Sequence, residues 1–192
     1  MTNSPLVRFS PLQRALHWFM AVCILAMLFI GVGMVSTIEP IYLTLVAIHK
    51  PLGIAILVLA IVRLGIRLYL GAPPLPLDLP EPMKLAAKLS HFALYALMIL
   101  MPLIGWGMLS AADYPAVVLG TTLPSPLPHS VALHAALWDA HRALAMCFFA
   151  LILMHVAGGL FHALVRRDGV FESMSLRSDH DSAGTREVKR PT

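Results

Sequence analysis

The chain has nine histidines in 192 residues. As many as seven of them, His17, His49, His91, His134, His141, His155 and His162, fall in or beside long apolar runs. An ionisable side chain at membrane depth is costly and usually functional. A lone one can be explained by a hydrogen bond to a neighbouring helix. Several at matched depths on facing helices are harder to explain that way. His141 and His155 bound the stretch HRALAMCFFALILMH. On an α-helix that spacing is close to four turns, so both imidazoles share one face, about 21 Å apart along the axis.

The composition decides which elements could carry them. The chain is 58% hydrophobic and 12% charged, with a mean hydropathy of +0.79. Four apolar runs, near 15–37, 41–68, 86–110 and 131–165, each reach the ~20 residues that cross a bilayer. The first is long for a signal-peptide core, lacks a clear small-residue cleavage site and opens on His17 and Trp18, which argues against removal. The expected fold is all-α, an integral membrane four-helix bundle. Twelve of the 14 Lys and Arg residues fall in the N-terminal segment (Arg8, Arg14), the second connection and its flanks (Arg63, Arg67, Lys84, Lys88) or the C-terminal segment (Arg166, Arg167, Arg177, Arg186, Lys189, Arg190). The first and third connections have none. By the positive-inside rule both termini are then cytoplasmic. The net charge of +4 is thus a topology signal rather than a nucleic-acid site.

Local signals place the ends of the helices. Ser10-Pro11 reads as an N-cap with proline at the first helical position, and Ser130 as the cap of helix four. GAPPLPLDLPEP at 71–82 reads as an extended link, and 111–130 as a long periplasmic loop. Residues 1–170 form one transmembrane unit and 171–192 a polar, flexible tail. Asp179-His180-Asp181 in that tail looks like a metal triplet but reads as solvated. Cys23 and Cys147 read as small buried hydrophobes. No CxxCH is present, so covalent haem attachment is not indicated.

Depth then pairs the histidines. His49, near the start of helix two, matches the level of His141; His17, near the start of helix one, matches His155. Two imidazoles per site are too few for structural zinc, which takes four ligands. They suit haem iron, whose porphyrin supplies four nitrogens and leaves two axial positions. Lys50 and Arg142, next to His49 and His141, run against the positive-inside bias. They read either as partners of the haem propionates or as snorkelling cations. Gly31, Gly33, Gly53, Gly105, Gly158 and Gly159 allow close approach of helix or macrocycle.

RALHW at 14–18, HKPLGIAILVLAIVRLGIR at 49–67, HFALYALMILMPLIGW at 91–106 and HRALAMCFFALILMHVAGGLFH at 141–162 together resemble the bacterial cytochrome b561 family. The resemblance covers most of 8–172. It implies a four-helix bundle holding two haem b groups, with His17, His49, His141 and His155 as axial ligands. It also implies electron exchange with the quinone pool in the bacterial inner membrane, by analogy with superoxide oxidases that pass an electron from periplasmic superoxide to ubiquinone. Lys50 and Arg142 would then offer an anion an attractive entry. His91, His162, Arg14 and Trp18 are candidates for a quinone site or for haem contact, and His162 is also an alternative to His155 as ligand. That swap would stretch the haem spacing to about 31 Å, nearly the whole hydrocarbon thickness. His134 reads as idle, and His129 lies in the loop. Two other functions compete. One is a cytochrome b subunit that links a separate dehydrogenase or hydrogenase to quinone. The other, remote, is a divalent-metal transporter, which should show acids within the spans, where only Asp139 qualifies.

Overall fold

A computed structural model describes residues 8–38, 40–118 and 120–176. The Asp179-His180-Asp181 triplet lies outside the described residues. Four helices form, α1 (Pro11–Ser36), α2 (Ile41–Leu70), α3 (Glu81–Ala111) and α4 (Val131–Phe161), each long and apolar enough to cross a membrane. Helix α1 packs on α2, α2 on α3 and α3 on α4.

Side chains cap the starts of α1 and α4. Ser10 closes a capping box on α1: its hydroxyl accepts from the Gln13 amide at 3.3 Å, and its own amide donates to Gln13 Oε1 at 3.1 Å. Gln13 is buried, and its side-chain amide reaches the Gly71 carbonyl at 2.9 Å, tying α1 to the end of α2. Gly71 ends α2 at φ 72° while its amide donates to Arg67. Helix α3 starts at Glu81, five residues before the expected 86. Proline at 82 did not prevent this, because a first-turn residue has no amide bond to lose. Ser130 caps α4 through the Leu133 amide at 3.3 Å.

One buried side chain from each helix, Met20, Ala60, Met98 and Phe148, meets at mid-bundle. Most of the remaining large apolar side chains face outward. Phe29 is 77% exposed and Leu68 76%. Such a surface is untenable in water but is what lipid requires.

The third connection is more ordered than a loop reading suggests. Val117–Val118 and Thr121–Thr122 form a two-residue antiparallel pair, and Ser110, 2% exposed, both donates to the Leu127 carbonyl at 2.7 Å and accepts from its amide at 2.9 Å. Trp106 holds the Pro124 carbonyl at 3.1 Å. Helix four does not end in a plain α-turn. His162–Arg166 form a π-helical turn, and Arg167 follows in the left-handed region at φ 52°. The chain then returns to α1. The Phe9 amide donates to the Ser173 carbonyl at 3.1 Å. Trp18 Nε1 donates to Met174 O and Arg14 Nη1 to Ser175 O, both at 2.9 Å.

Candidate functional site

The bundle brings the histidines together in two groups, one toward each end. The His49 and His141 rings lie 6.2 Å apart between centroids; those of His17 and His155 lie 6.3 Å apart. Both rows come from the same cause. Helix α4 repeats its face every 3.6 residues, so one stripe passes His141 and then His155, while α2 and α1 each place one histidine near a helix start.

The two separations can be tested against the expected group. A metal–imidazole bond is about 2.0–2.1 Å, and two imidazoles on opposite sides of one metal therefore have centroids about 6.3 Å apart. Both pairs match it. Among the described residues no three His, Cys, Asp or Glu side chains converge as a cage for a bare metal ion. A pair of imidazoles at this separation, with no third metal ligand joining it, is a donor set that a porphyrin would complete.

At the His49/His141 end, both Nδ1 atoms are buried without a hydrogen-bond partner, although the Met101 carbonyl lies close enough to influence the His141 ring. Unpaired buried nitrogens are expensive, and ligation gives them a purpose. Gly105 makes room for the ring: a Cβ there would sit 3.4 Å from His141 Cε1. We expect Gly105→Leu to force the His141 ring aside, so that haem bound at this end falls severalfold while the other end keeps its share; pyridine haemochrome assays on purified protein measure it. Lys50 and Arg142 flank this pair. Among the described residues neither meets a carboxylate.

The other end is more crowded. His91 from α3 packs on His155 at 5.4 Å, and Trp18 on His17 at 5.4 Å, both edge-on. At 5.4 Å His91 is too close to His155 to share a metal with it across opposite faces. Arg63 from α2 reaches His17 Nδ1 at 2.9 Å.

The remaining residues singled out from the sequence scatter. His162 does not join His17. Its Nδ1 meets Asp168 Oδ2 at 2.8 Å, beyond the end of α4, where Arg166 Nε also donates at 2.8 Å and then bridges to Asp78 at 3.0 Å. His162 itself keeps α-helical dihedrals, φ -64° and ψ -40°; the π-turn that begins there brings Asp168 round to its ring. Arg14 and Trp18 both bond the returning C-terminal segment. His134 bonds the Met108 carbonyl at 3.0 Å, and His129 lies 3.4 Å from Asp113. Cys147 faces outward and Cys23 is partly covered. The sequence reading overlooked Arg63 and Tyr95. An arginine two turns inside an apolar run is the available signal, which the positive-inside rule uses only for topology.

Comparison with known proteins gives the family. Residues 8–175 match the family model for prokaryotic cytochrome b561. The chain is 29% identical over 184 residues to cytochrome b561 homolog 2 of Escherichia coli (strain K12), covering 94% of this chain and 97% of that protein. It is 31% identical over 128 residues to the probable superoxide oxidase CybB of Yersinia pestis, covering 66% and 72% respectively. Cytochrome b561 homolog 1 of Escherichia coli (strain K12) is 27% identical over 178 residues, covering 88% and 98%.

Proposed function

The chain belongs to the prokaryotic cytochrome b561 family of haem-binding membrane electron carriers, and from that premise we propose that it is a di-haem cytochrome of the bacterial inner membrane that moves electrons from a periplasmic donor to ubiquinone. The observation that carries the reading is the pair of histidine couples at 6.2 and 6.3 Å, both drawing on α4. His49 with His141 would hold one haem b, and His17 with His155 the other. A haem held by two histidines would supply one-electron transfer rather than oxygen binding at iron.

The chain's own residues do the rest. Met20, Ala60, Met98 and Phe148 keep water out of the middle of the bundle, between the two couples. With both termini cytoplasmic, as the Lys and Arg bias supports, the His49/His141 end faces the periplasm. Among the described residues no carboxylate pairs with Lys50 or Arg142, and the two would attract an anion to that end. Superoxide fits as that anion, and a relative bearing the name of a superoxide oxidase supports the choice. At the opposite end, His91 and Trp18 border His155 and His17. They are the residues best placed to meet a quinone headgroup beside the cytoplasmic haem, with His91 able to carry a proton. His162 and Arg14, engaged with Asp168 and the C-terminal segment, are the weaker candidates.

The test mixes purified protein with an enzymatic source of superoxide, follows haem reduction, then adds ubiquinone. Reduction followed by reoxidation is expected. Failure of ubiquinone to reoxidise the haem would overturn the quinone link, and failure of superoxide to reduce it would leave a carrier with a different donor. Lys50→Gln with Arg142→Gln should slow the superoxide step about tenfold at low salt and flatten its salt dependence, with reduction by dithionite unchanged. Stopped-flow absorbance reads both.

A further inference from the structure

We propose that Arg63 and Arg67 form a carboxylate-binding site whose ligand is a propionate of the haem held between His17 and His155. The assignment rests on the haem reading above and deepens it.

Arg63 lies two turns inside the end of α2, and its guanidinium turns inward. Nη2 is 2.9 Å from His17 Nδ1, and Cζ stands 5.6 Å from the centre of the Tyr95 ring. A snorkelling cation would instead extend toward the headgroups. Arg67, one turn further on, lies 5.2 Å over the Phe9 ring. Both line one cavity of about 20 Å³ together with Phe9, Gln13, Tyr95 and Met174. Two like charges at this spacing on a helix repel each other, and a cation at membrane depth is costly unless paired. Among the described residues no carboxylate pairs with either arginine.

The contact with His17 sharpens the point. A guanidinium has donors only, so His17 Nδ1 accepts and carries no proton. A neutral imidazole that ligates a metal keeps its proton on the other nitrogen. If Nδ1 took the metal, Arg63 would be displaced from it. If Nε2 took the metal, Nδ1 would carry the proton and two donors would face each other. Either way Arg63 must leave His17 when a ligand binds there. Among the described residues no carboxylate pairs with it, whereas haem brings two. The cavity beside Arg63, with Arg67 and the Tyr95 side chain on its wall, is where one of them would be received.

The test uses full-length chain carrying His141→Ala, produced without haem and purified in detergent, so that only the His17/His155 end is titrated. Iron protoporphyrin IX is compared with its dimethyl ester, whose carboxylates are blocked. The ester should bind tenfold or more weakly, as expected for loss of a charged hydrogen bond, about 1.4 kcal/mol or more. In Arg63→Gln/Arg67→Gln the two forms should bind alike, because the partner that tells them apart is gone. Arg63→Lys, which keeps the charge, should retain part of the preference and shows that the fold tolerates change at this position. An ester penalty of the same size in the double variant would overturn the assignment. Equal binding of haem and ester to the unaltered arginines, with both weakened by the double variant, would give the cavity to another anion such as a lipid phosphate, and so would overturn it too. No b-type spectrum with either compound would bring down the haem reading itself together with this site.

Discussion

If the two histidine couples each hold a haem, as proposed, protein carrying His141→Ala is expected to bind one haem where the unaltered chain binds two, and His155→Ala to lose the other one. The two side chains sit on one face of α4, but each meets a different partner, His49 at 6.2 Å and His17 at 6.3 Å. Removing one imidazole leaves its partner as the sole ligand on that side of the bundle. A single imidazole cannot fill both axial positions, so the site loses its haem or keeps a weakly held, five-coordinate one. The couples are about 21 Å apart along α4, beyond the range at which substitutions usually couple. The surviving haem should therefore keep its spectrum and its potential. His49→Ala should reproduce the His141→Ala pattern and His17→Ala that of His155→Ala. Haem per chain and reduced-minus-oxidised spectra check all four variants. Loss of both haems from one substitution in folded protein would argue against two independent couples. Retention of two by His155→Ala would move the ligand to another side chain, with His91, 5.4 Å from His155, the nearest alternative.

What could be read from the sequence divides along physical lines. The four spans were legible because lipid imposes one rule on every residue of a helix, and a run of about twenty apolar residues satisfies it in only one way. The histidine couples were legible because α-helical periodicity is rigid: spacing on α4 fixes both the shared face and the rise. The caps at Ser10 and Ser130 were legible for a similar reason, since the bond is local. Three features were not. The early start of α3 needed a decision about Pro82, which fits a first turn as well as it fits a loop. The inward turn of Arg63 depends on α1 bringing His17 opposite α2, a contact between residues 46 apart in the chain. The π-turn at His162–Arg166 is set by a carboxylate two residues beyond it, and no periodic signal reports a widened turn. His162 shows the consequence. Seven residues after His155, it lies nearly in line with it on α-helical periodicity, and the altered turn after it brings Asp168 within reach of its ring.

That turn carries the last prediction. Asp168 accepts from Arg166 Nε at 2.8 Å, from the Val170 amide at 3.3 Å and from His162 at 2.8 Å, and its side chain is only 8% exposed. Arg166 extends the cluster to Asp78 in the link between α2 and α3. Just past it, residues 170–176 run back to Phe9, Arg14 and Trp18. The carboxylate therefore holds the point at which the chain reverses onto α1. Asp168→Asn keeps the shape but removes the charge and puts a donor where donors already converge. The expected cost is about 2 kcal/mol of local stability, as for a bond to a charged group that loses its partner. Local opening should then rise roughly thirtyfold, since every 1.4 kcal/mol is a factor of ten. Trypsin cleavage after Arg166 and Arg167, followed by mass spectrometry of that product, reads the opening directly. The pH dependence has a definite sign. Burial alone would raise the Asp168 carboxyl, but the bonds from Arg166, His162 and Val170 outweigh it and hold the group below the ordinary carboxylate range. A group depressed in the folded chain contributes fully above its unfolded value, near pH 4, and its contribution is lost as pH falls through the folded value. Amide exchange in 168–176, corrected for its intrinsic pH dependence, should be equally protected at pH 7 and pH 5.5 and lose protection below about pH 4, while Asp168→Asn stays flat. The same loss of protection below about pH 4 in Asp168→Asn would show that this carboxylate does not set the stability of the turn.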